Sequence, residues 1–287
     1  MPPVAAEFRR AIVKWFDRNE RPLPWRSTTP WGVLVSEFML QQTPVDRVLP
    51  VWQVWLERWP NAAALAQASQ ADALRAWGRL GYPRRAIRLH AAARAIVAEF
   101  AGEVPDTYEE LRRLPGVGDY TAAAVLAFAF GQRSVVLDVN VRRVFHRVID
   151  GVEHPTPATT AAERALAESL LPRDHGAAAR WSAAVMELGA LVCTSRSPKC
   201  GDCPIAKDCS WLNAGSPTGE RPRQQAKFTG SDRQVRGLIM AALRESHAAV
   251  LSVEHVWPDE AQRLRALGGL VSDGLIIETT KGWTLPQ

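Results

Sequence analysis

Apolar residues recur along most of this chain at the three- and four-residue spacing of amphipathic helices, and the polar positions between them carry helix start and stop signals. Phe8, Ile12 and Phe16 mark a helix over 5–18. Thr29 ahead of Pro30 is a cap followed by a proline at the first helical position, which predicts a helix from Trp31 to about Gln42. Thr43-Pro44 repeats the signal and opens a helix to about Trp59. Short helices are expected from Asn61 and from Ser69, and Gly81-Tyr82-Pro83 breaks the chain before a basic helix through Phe100. Thr107 caps a short helix, and others follow from about Thr121, Asn140, Pro157 and Gly176. After Cys209 the pattern changes. AGSPTGERPRQQAK is rich in Gly, Pro and charge and reads as a basic linker that includes Arg221 and Arg223. VRGLIMAALRES and DEAQRLRALGGLVSDGL read as two helices, and LIIETTKGWTLP as two short strands about a Lys-Gly turn.

A chain of 287 residues, 47% hydrophobic and 23% charged, is a folded protein with core enough for one large or two to three small domains. The first twenty residues carry charges throughout, and no apolar run is long enough to span a bilayer. The expectation is a cytoplasmic monomer, nucleoid-associated if bacterial, with no membrane partner. A net charge of +5 and a pI near 9.3 favour a polyanion as partner. Arg75, Arg79, Arg84, Arg85 and Arg88 form one cluster and Arg142, Arg143 and Arg147 another; each is either a phosphate-binding patch or a solvated helix face. The chain is also rich in tryptophan, with 11 residues.

Leu114-Pro115-Gly116-Val117-Gly118 adds chemistry to that charge. Two glycines one residue apart after a proline make a tight turn, and helical pattern lies on both sides. Such a hairpin aims the backbone N–H groups of a helix N-terminus at an anion, here DNA phosphate, with Gly116 and Gly118 at the contact; the plain alternative is an ordinary corner between helices. Asp138 follows in VVLDVNVRRVFHRV, where an acid ahead of a new helix serves as an N-cap. Hairpin and acid together, at this spacing, resemble the helix–hairpin–helix, Gly/Pro-rich loop and aspartate signature of the endonuclease III superfamily of base-excision DNA glycosylases. In that family the aspartate both caps a helix and takes part in catalysis.

Four cysteines fall within 193–209 in the spacing C-x6-C-x2-C-x5-C. An intracellular chain rarely spends them on disulfides, so zinc and an iron–sulfur cluster are the choices. Structural zinc prefers two short Cys pairs, and only Cys200 and Cys203 make one. Four thiolates in one compact loop suit a [4Fe–4S] cluster, and the spacing resembles the cluster loop of the same superfamily. The resemblance implies one [4Fe–4S] cluster on Cys193, Cys200, Cys203 and Cys209. In that family the cluster is mainly structural, and the resemblance implies a loop that presents Arg196, Lys199 and Lys207 to phosphates.

Removing a base from DNA breaks the C1′–N bond of a flipped-out nucleotide through an oxocarbenium-like transition state. One carboxyl group must stay protonated to activate the leaving base, and another must stay ionised to stabilise the cation. Asp138 at a helix N-terminus is placed for the ionised role. Glu37, within the apolar WGVLVSEFMLQQTPV, is the candidate acid; a glutamate on a water-facing edge is the plain alternative. The stretch Ser36-Glu37-Phe38-Met39-Leu40-Gln41-Gln42-Thr43 resembles the catalytic helix of MutY-type adenine DNA glycosylases. LPWR at 23–26, WGRLGYPRRAIRLH at 77–90 and MELGALVC at 186–193 agree, and the resemblance covers roughly 8–212. It implies that Glu37 protonates adenine N7, that Asp138 stabilises the sugar cation and that Asn140 organises the site. It also implies that Arg26 and Glu187 contact the extruded adenine, and that Gln42, Thr43 and Tyr82 enter the stack around the opposite, oxidised guanine.

Tyr120 stands where bifunctional relatives carry a Schiff-base lysine, so the resemblance implies base removal without strand cleavage. It also implies a monovalent cation on the hairpin backbone carbonyls. The final residues are too few for the Nudix-like domain usual in the MutY branch. The expected fold is all-α: a two-lobed helix–hairpin–helix DNA glycosylase with an iron–sulfur loop and a small winged-helix-like C-terminal appendage. The expected glycosylase core is 1–213, with one lobe at about 24–133 and the other at 1–23 and 134–213; 214–229 is the basic linker and 230–287 the small module. The implied substrate is double-stranded DNA containing A·8-oxoguanine or A·G. A thymine or uracil mismatch glycosylase and a non-catalytic DNA-binding protein are the other readings. Gln41-Gln42-Thr43 with Glu37 disfavours the first of these, and the pairing of Glu37 with Asp138 disfavours the second.

Overall fold

Helices make up almost every element of the computed structural model, which describes residues 3–219, 227–246, 253–280 and 282–287. In chain order they are α1 (Pro3–Asn19), α2 (Pro30–Leu40), α3 (Val45–Arg58), α4 (Ala62–Ala66), α5 (Gln70–Trp77), α6 (Arg84–Glu99) and α7 (Tyr108–Arg113). Then come α8 (Asp119–Phe130), α9 (Val139–Phe145), α10 (Ala161–Leu170), α11 (His175–Leu191), α12 (Ser210–Asn213), α13 (Asp232–Glu245) and α14 (Glu260–Ser272). One antiparallel hairpin closes the chain, β1 (Ile277–Thr279) with β2 (Gly282–Thr284), paired Ile277 to Thr284 and Glu278 to Trp283. Lys281 of the expected turn, like Arg221 and Arg223 of the linker, lies outside the described residues. No helix among the described residues is long and apolar enough to cross a membrane.

Side-chain caps set many of the boundaries. Thr29, Asn61, Ser69 and Thr107 each accept from the N–H three residues on, satisfying donors that the first turn leaves open. Two starts differ from the pattern-based expectation. The cap of α3 is Pro44, because the Thr43 hydroxyl turns inward to the Leu80 carbonyl at 3.3 Å. α10 starts at Ala161 rather than near Pro157, because Thr160 and Glu163 form a reciprocal capping box.

The chain divides into two units, Met1–Thr28 with Gly118–Gln224, and Thr29–Val117 with Gln225–Gln287. In the first, Phe8, Ile12 and Phe16 of α1 join Val141 and Phe145 of α9, Trp181, Val185 and Leu188 of α11, and Trp211 of α12 in one core. α8, apolar on every side, is buried from Thr121 to Ala127 and packs on α11. In the second unit the tryptophans find their use: Trp31, Trp52, Trp55, Trp59 and Trp77 are all buried. Trp55 meets Trp59 and Trp77 edge-on at 4.6 and 5.6 Å. α13 and α14 pair with one another, and α13 rests on α5. Asp273, at the end of α14, takes Arg84 at 3.1 Å and also pairs with Arg236, which fastens the C-terminal helices to the start of α6.

Candidate active site

In the first unit Asp138 caps α9, its Oδ1 accepting the Val141 N–H at 2.7 Å. Its other oxygen accepts the Asn140 amide at 2.7 Å, and Asn140 Oδ1 in turn accepts from Arg143 at 2.7 Å. Arg143 also donates to the carbonyls of Gly189 at 2.7 Å and Cys193 at 2.6 Å. Asp138, Asn140 and the first cysteine of the cluster loop thus share one hydrogen-bonded chain. Gly189 is required for it, since a Cβ there would lie 2.7 Å from the Asn140 carbonyl. Asp138 keeps a partly open face, but its carboxyl is closely surrounded by protein. That burial pushes its pKa up; the Val141 N–H, the Asn140 amide and the Arg143 charge pull it back without cancelling the shift.

Arg26 and Glu187 also meet, at 3.1 Å. Glu187 is only 2% exposed, and Arg21 grips both of its oxygens at 2.8 and 2.7 Å. Burial works to raise this carboxyl, but the Arg21 guanidinium and N–H and the charges of Arg21 and Arg26 together hold it below the usual range. Its oxygens face arginines, so Glu187 positions cations. Tyr120 sits on the second residue of α8, packed against Ala123, Ala124, Ala127 and Val136.

In the second unit Glu37 is 6% exposed on α2, a helix buried from Trp31 to Met39. The water-facing alternative is thereby removed. Gln42 and Tyr82 both take left-handed backbone, φ 54° and 48°, and both side chains are exposed. Thr43, expected beside Gln42 in the stack, is buried, and its hydroxyl is engaged with Leu80 and Arg85. Gly116 has φ +83°, and a Cβ would fall 2.8 Å from Arg88 Cβ and 2.9 Å from Phe38 Cε1, so hairpin, α6 and α2 are locked together here. Gly118 has open space around it. Gly116→Ala is expected to lower stability by about 1–3 kcal/mol, the range for an overpacked site, while Gly118→Ala leaves the melting temperature near that of the parent. Equal shifts on thermal melting would mean that close packing is not what demands glycine at 116.

The cysteines Cys193, Cys200, Cys203 and Cys209 are free thiols lining one small cavity of about 20 Å³ with Val144, Val148, Leu188 and Ile205. Among the described residues no three ligand groups are gathered tightly enough to hold a single ion; the thiols ring the cavity instead. Burial pushes the Cys203 thiol up to about 11, against the pull of the Ile205 N–H and with the other three sulfurs adding to the rise. Such a thiol gives up its proton readily only to a compensating positive centre, so the donor set and its apolar lining fit an iron–sulfur cluster.

The arginine clusters divide differently from either expectation. Arg85, Arg142, Arg143 and Arg147 are buried and serve the fold, while Arg79, Arg84 and Arg88 remain exposed. Arg147, 1% exposed, donates to the Thr194 and Ser195 carbonyls at 2.8 and 3.2 Å and stacks on Trp211, which pins the loop behind Cys193. Arg21, Arg85 and Arg143 are the working residues that pattern reading did not single out. Arg21, within RPLPWR, and Arg143, one helical turn from Asn140, had neighbours that could have pointed to them.

Residues 35–170 match the HhH-GPD superfamily of base excision DNA repair proteins, and 193–209 match the iron–sulfur binding domain of endonuclease III. An adenine DNA glycosylase of Mycolicibacterium smegmatis is 49% identical over 276 residues, 94% of this chain and 93% of that protein. One from Mycobacterium tuberculosis is 48% identical over 277 residues, 94% of this chain and 90% of its own length. Among solved structures, a thermostable thymine-DNA glycosylase superposes with a TM-score of 0.66 at 27% identity, covering 73% of this chain and 97% of that one.

Proposed function

The chain belongs to the adenine DNA glycosylases of the HhH-GPD base-excision repair superfamily, and on that footing we propose that it removes adenine mispaired with 8-oxoguanine or guanine and leaves the strand uncut. The observation that carries the reading is the pair of carboxyls in contrasting surroundings. Glu37 lies inside an apolar helix; Asp138 is also closely surrounded, which raises its carboxyl, but it has an N–H, an amide and the charge of an arginine as partners for its ionised form.

In this reading Glu37 delivers a proton to adenine N7 as the glycosidic bond breaks, and Asp138 faces the cation that forms at C1′ until water adds there and gives up its proton, leaving free adenine and an abasic sugar. Asn140 holds Asp138 in place, and Glu187 acts on the base through Arg21 and Arg26. Gln42 and Tyr82, exposed at two left-handed turns, interrogate the opposite base; Thr43 supports them from beneath. The cluster, when bound, holds its loop in shape and takes no part in bond breaking. A monovalent cation on the hairpin carbonyls belongs to the proposal, with Arg112, which donates to the Val117 carbonyl at 2.5 Å, as its competitor. The C-terminal module adds affinity for duplex, and the protein acts as a monomer.

Single-turnover rates on duplexes carrying A·8-oxoguanine, A·G, T·G and U·G, each followed by hot alkali, test the substrate. Adenine release fastest opposite 8-oxoguanine is expected. The likeness to a thymine-DNA glycosylase makes T·G the informative competitor, and preferential thymine release would overturn the reading. Without alkali the strand should stay intact and borohydride should trap nothing. Tyr120→Lys, which supplies an amine at that position, is expected to gain a borohydride-trapped adduct and nicking. Efficient nicking by the parent would sink the monofunctional proposal.

A further inference from the structure

One guanidinium lies beneath both turns that carry the proposed reading residues. Arg85, the second residue of α6, is 5% exposed. Its Nη1 donates to the carbonyls of Phe38 at 2.9 Å, Met39 at 2.8 Å and Gln41 at 2.5 Å. Its Nη2 donates to Thr43 Oγ1 at 2.9 Å and to the Gly81 carbonyl at 3.0 Å. The guanidinium also lies 5.4 Å from the centre of the Tyr82 ring. Two of these acceptors, Phe38 and Met39, are carbonyls of the last turn of α2, which no helical N–H reaches, so Arg85 is the C-terminal cap of the helix bearing Glu37. The others bracket Gln42 and precede Tyr82.

Gln42 and Tyr82 hold φ 54° and 48°, a region that side chains other than glycine disfavour and keep only where the surroundings fix it. Neither turn has a regular ladder to fix it. Arg85 bonds to the residue before and the residue after Gln42, and to the residue before Tyr82. Burial draws its pKa down to about 10, so it stays charged at neutral pH and its four Nη hydrogens, shared among these five acceptors, make charge-assisted bonds.

The geometry points to Arg85 as the positioning residue for discrimination of the base opposite adenine: it sets the Gln42 and Tyr82 turns in one fixed relation and touches no substrate itself. The inference rests on the reading of Gln42 and Tyr82 given above. Lysine keeps the charge but has three donors and no planar fork, so it cannot serve five acceptors on two turns at once.

The test uses full-length protein and single-turnover rates on A·8-oxoguanine and A·G duplexes. Arg85→Lys is expected to narrow the ratio of the two rates by ~10-fold, the scale of one or two lost hydrogen bonds. In the double variant Arg85→Lys/Tyr82→Ala the ratio should narrow no further than in the stronger single variant, because both act through one element. A general loss of fold would lower both rates together and leave the ratio alone. Should Arg85→Lys be insoluble, Thr43→Val removes one acceptor with little change of shape and should narrow the ratio in the same direction. An unchanged ratio in a folded Arg85→Lys protein, alongside a narrowed ratio in Gln42→Ala and Tyr82→Ala, overturns the inference, as does strict additivity in the double variant. An unchanged ratio in Gln42→Ala and Tyr82→Ala defeats the reading of those residues instead, and the inference falls with it.

Discussion

Asp138→Asn is expected to lower the single-turnover rate of adenine release by ~10²–10³, the scale set by removing one group that stabilises transition-state charge, while the protein stays folded and keeps its cluster. Asparagine is as good an N-cap as aspartate, so the bond to the Val141 N–H survives the change. What disappears is the negative charge, together with the bond from the Asn140 amide, since the new side chain presents an N–H where Oδ2 accepted. The pH profile supplies a second reading from the parent protein. Burial raises the Asp138 carboxyl above the ordinary carboxylate range, and only the ionised form can face a cation. The parent rate should therefore fall as pH drops through that raised value, giving an acid limb above the one a free aspartate would produce. Stability runs the other way. A carboxyl whose pKa is higher folded than unfolded contributes stability that is complete below the unfolded value and is lost as pH rises through the folded one. An asparagine in its place does not titrate, so the variant's melting temperature should gain on the parent's as pH rises from acid to neutral. Rates within a few-fold of the parent, or a melting difference that shrinks with rising pH, would show that Asp138 is a cap and nothing more.

The parts of this protein that were legible in the sequence are those whose causes are local. Thr29, Asn61, Ser69 and Thr107 cap their helices because the acceptor and the N–H it satisfies lie three residues apart. The hairpin glycine at 116 was legible as a turn. That a Cβ there would fall within 3 Å of Arg88 and Phe38 was not, because those atoms come from helices distant along the chain. The buried arginines were the least legible. In the sequence Arg85 is one of five positive charges in a basic segment, and nothing nearby distinguishes it from Arg84 or Arg88. Its role exists only because the carbonyls at the end of α2, more than forty residues earlier, are brought over it. Arg143 and Arg147 follow the same rule in part: each has one local acceptor, Asn140 and Glu153, but the others, at 189–195, lie about fifty residues downstream. The burial of Thr43 was hidden for a related reason. Its hydroxyl suits a base edge on paper, but two internal partners claim it.

Glu37→Gln is expected to cost ~10²–10⁴ in the same single-turnover rate, the contribution of a positioned general acid, again with duplex binding retained. The substitution suits this site. Glu37 lies 6% exposed on a helix buried from Trp31 to Met39, so a side chain of different volume would confuse packing loss with chemical loss. Glutamine keeps the shape and the hydrogen-bonding reach and lacks only a proton to transfer. One further readout separates an acid from a structural glutamate. A duplex whose mispaired base is a better leaving group than adenine needs less protonation. It should recover much of the Glu37→Gln deficit while leaving the Asp138→Asn deficit in place, because stabilising the sugar cation is required however the base departs. Equal rescue of both variants would mean that the two carboxyls do not divide the work between leaving base and sugar. A variant that melts much lower than the parent yet cleaves adenine at the parent rate would assign Glu37 to the core of the second unit and remove the acid from the mechanism.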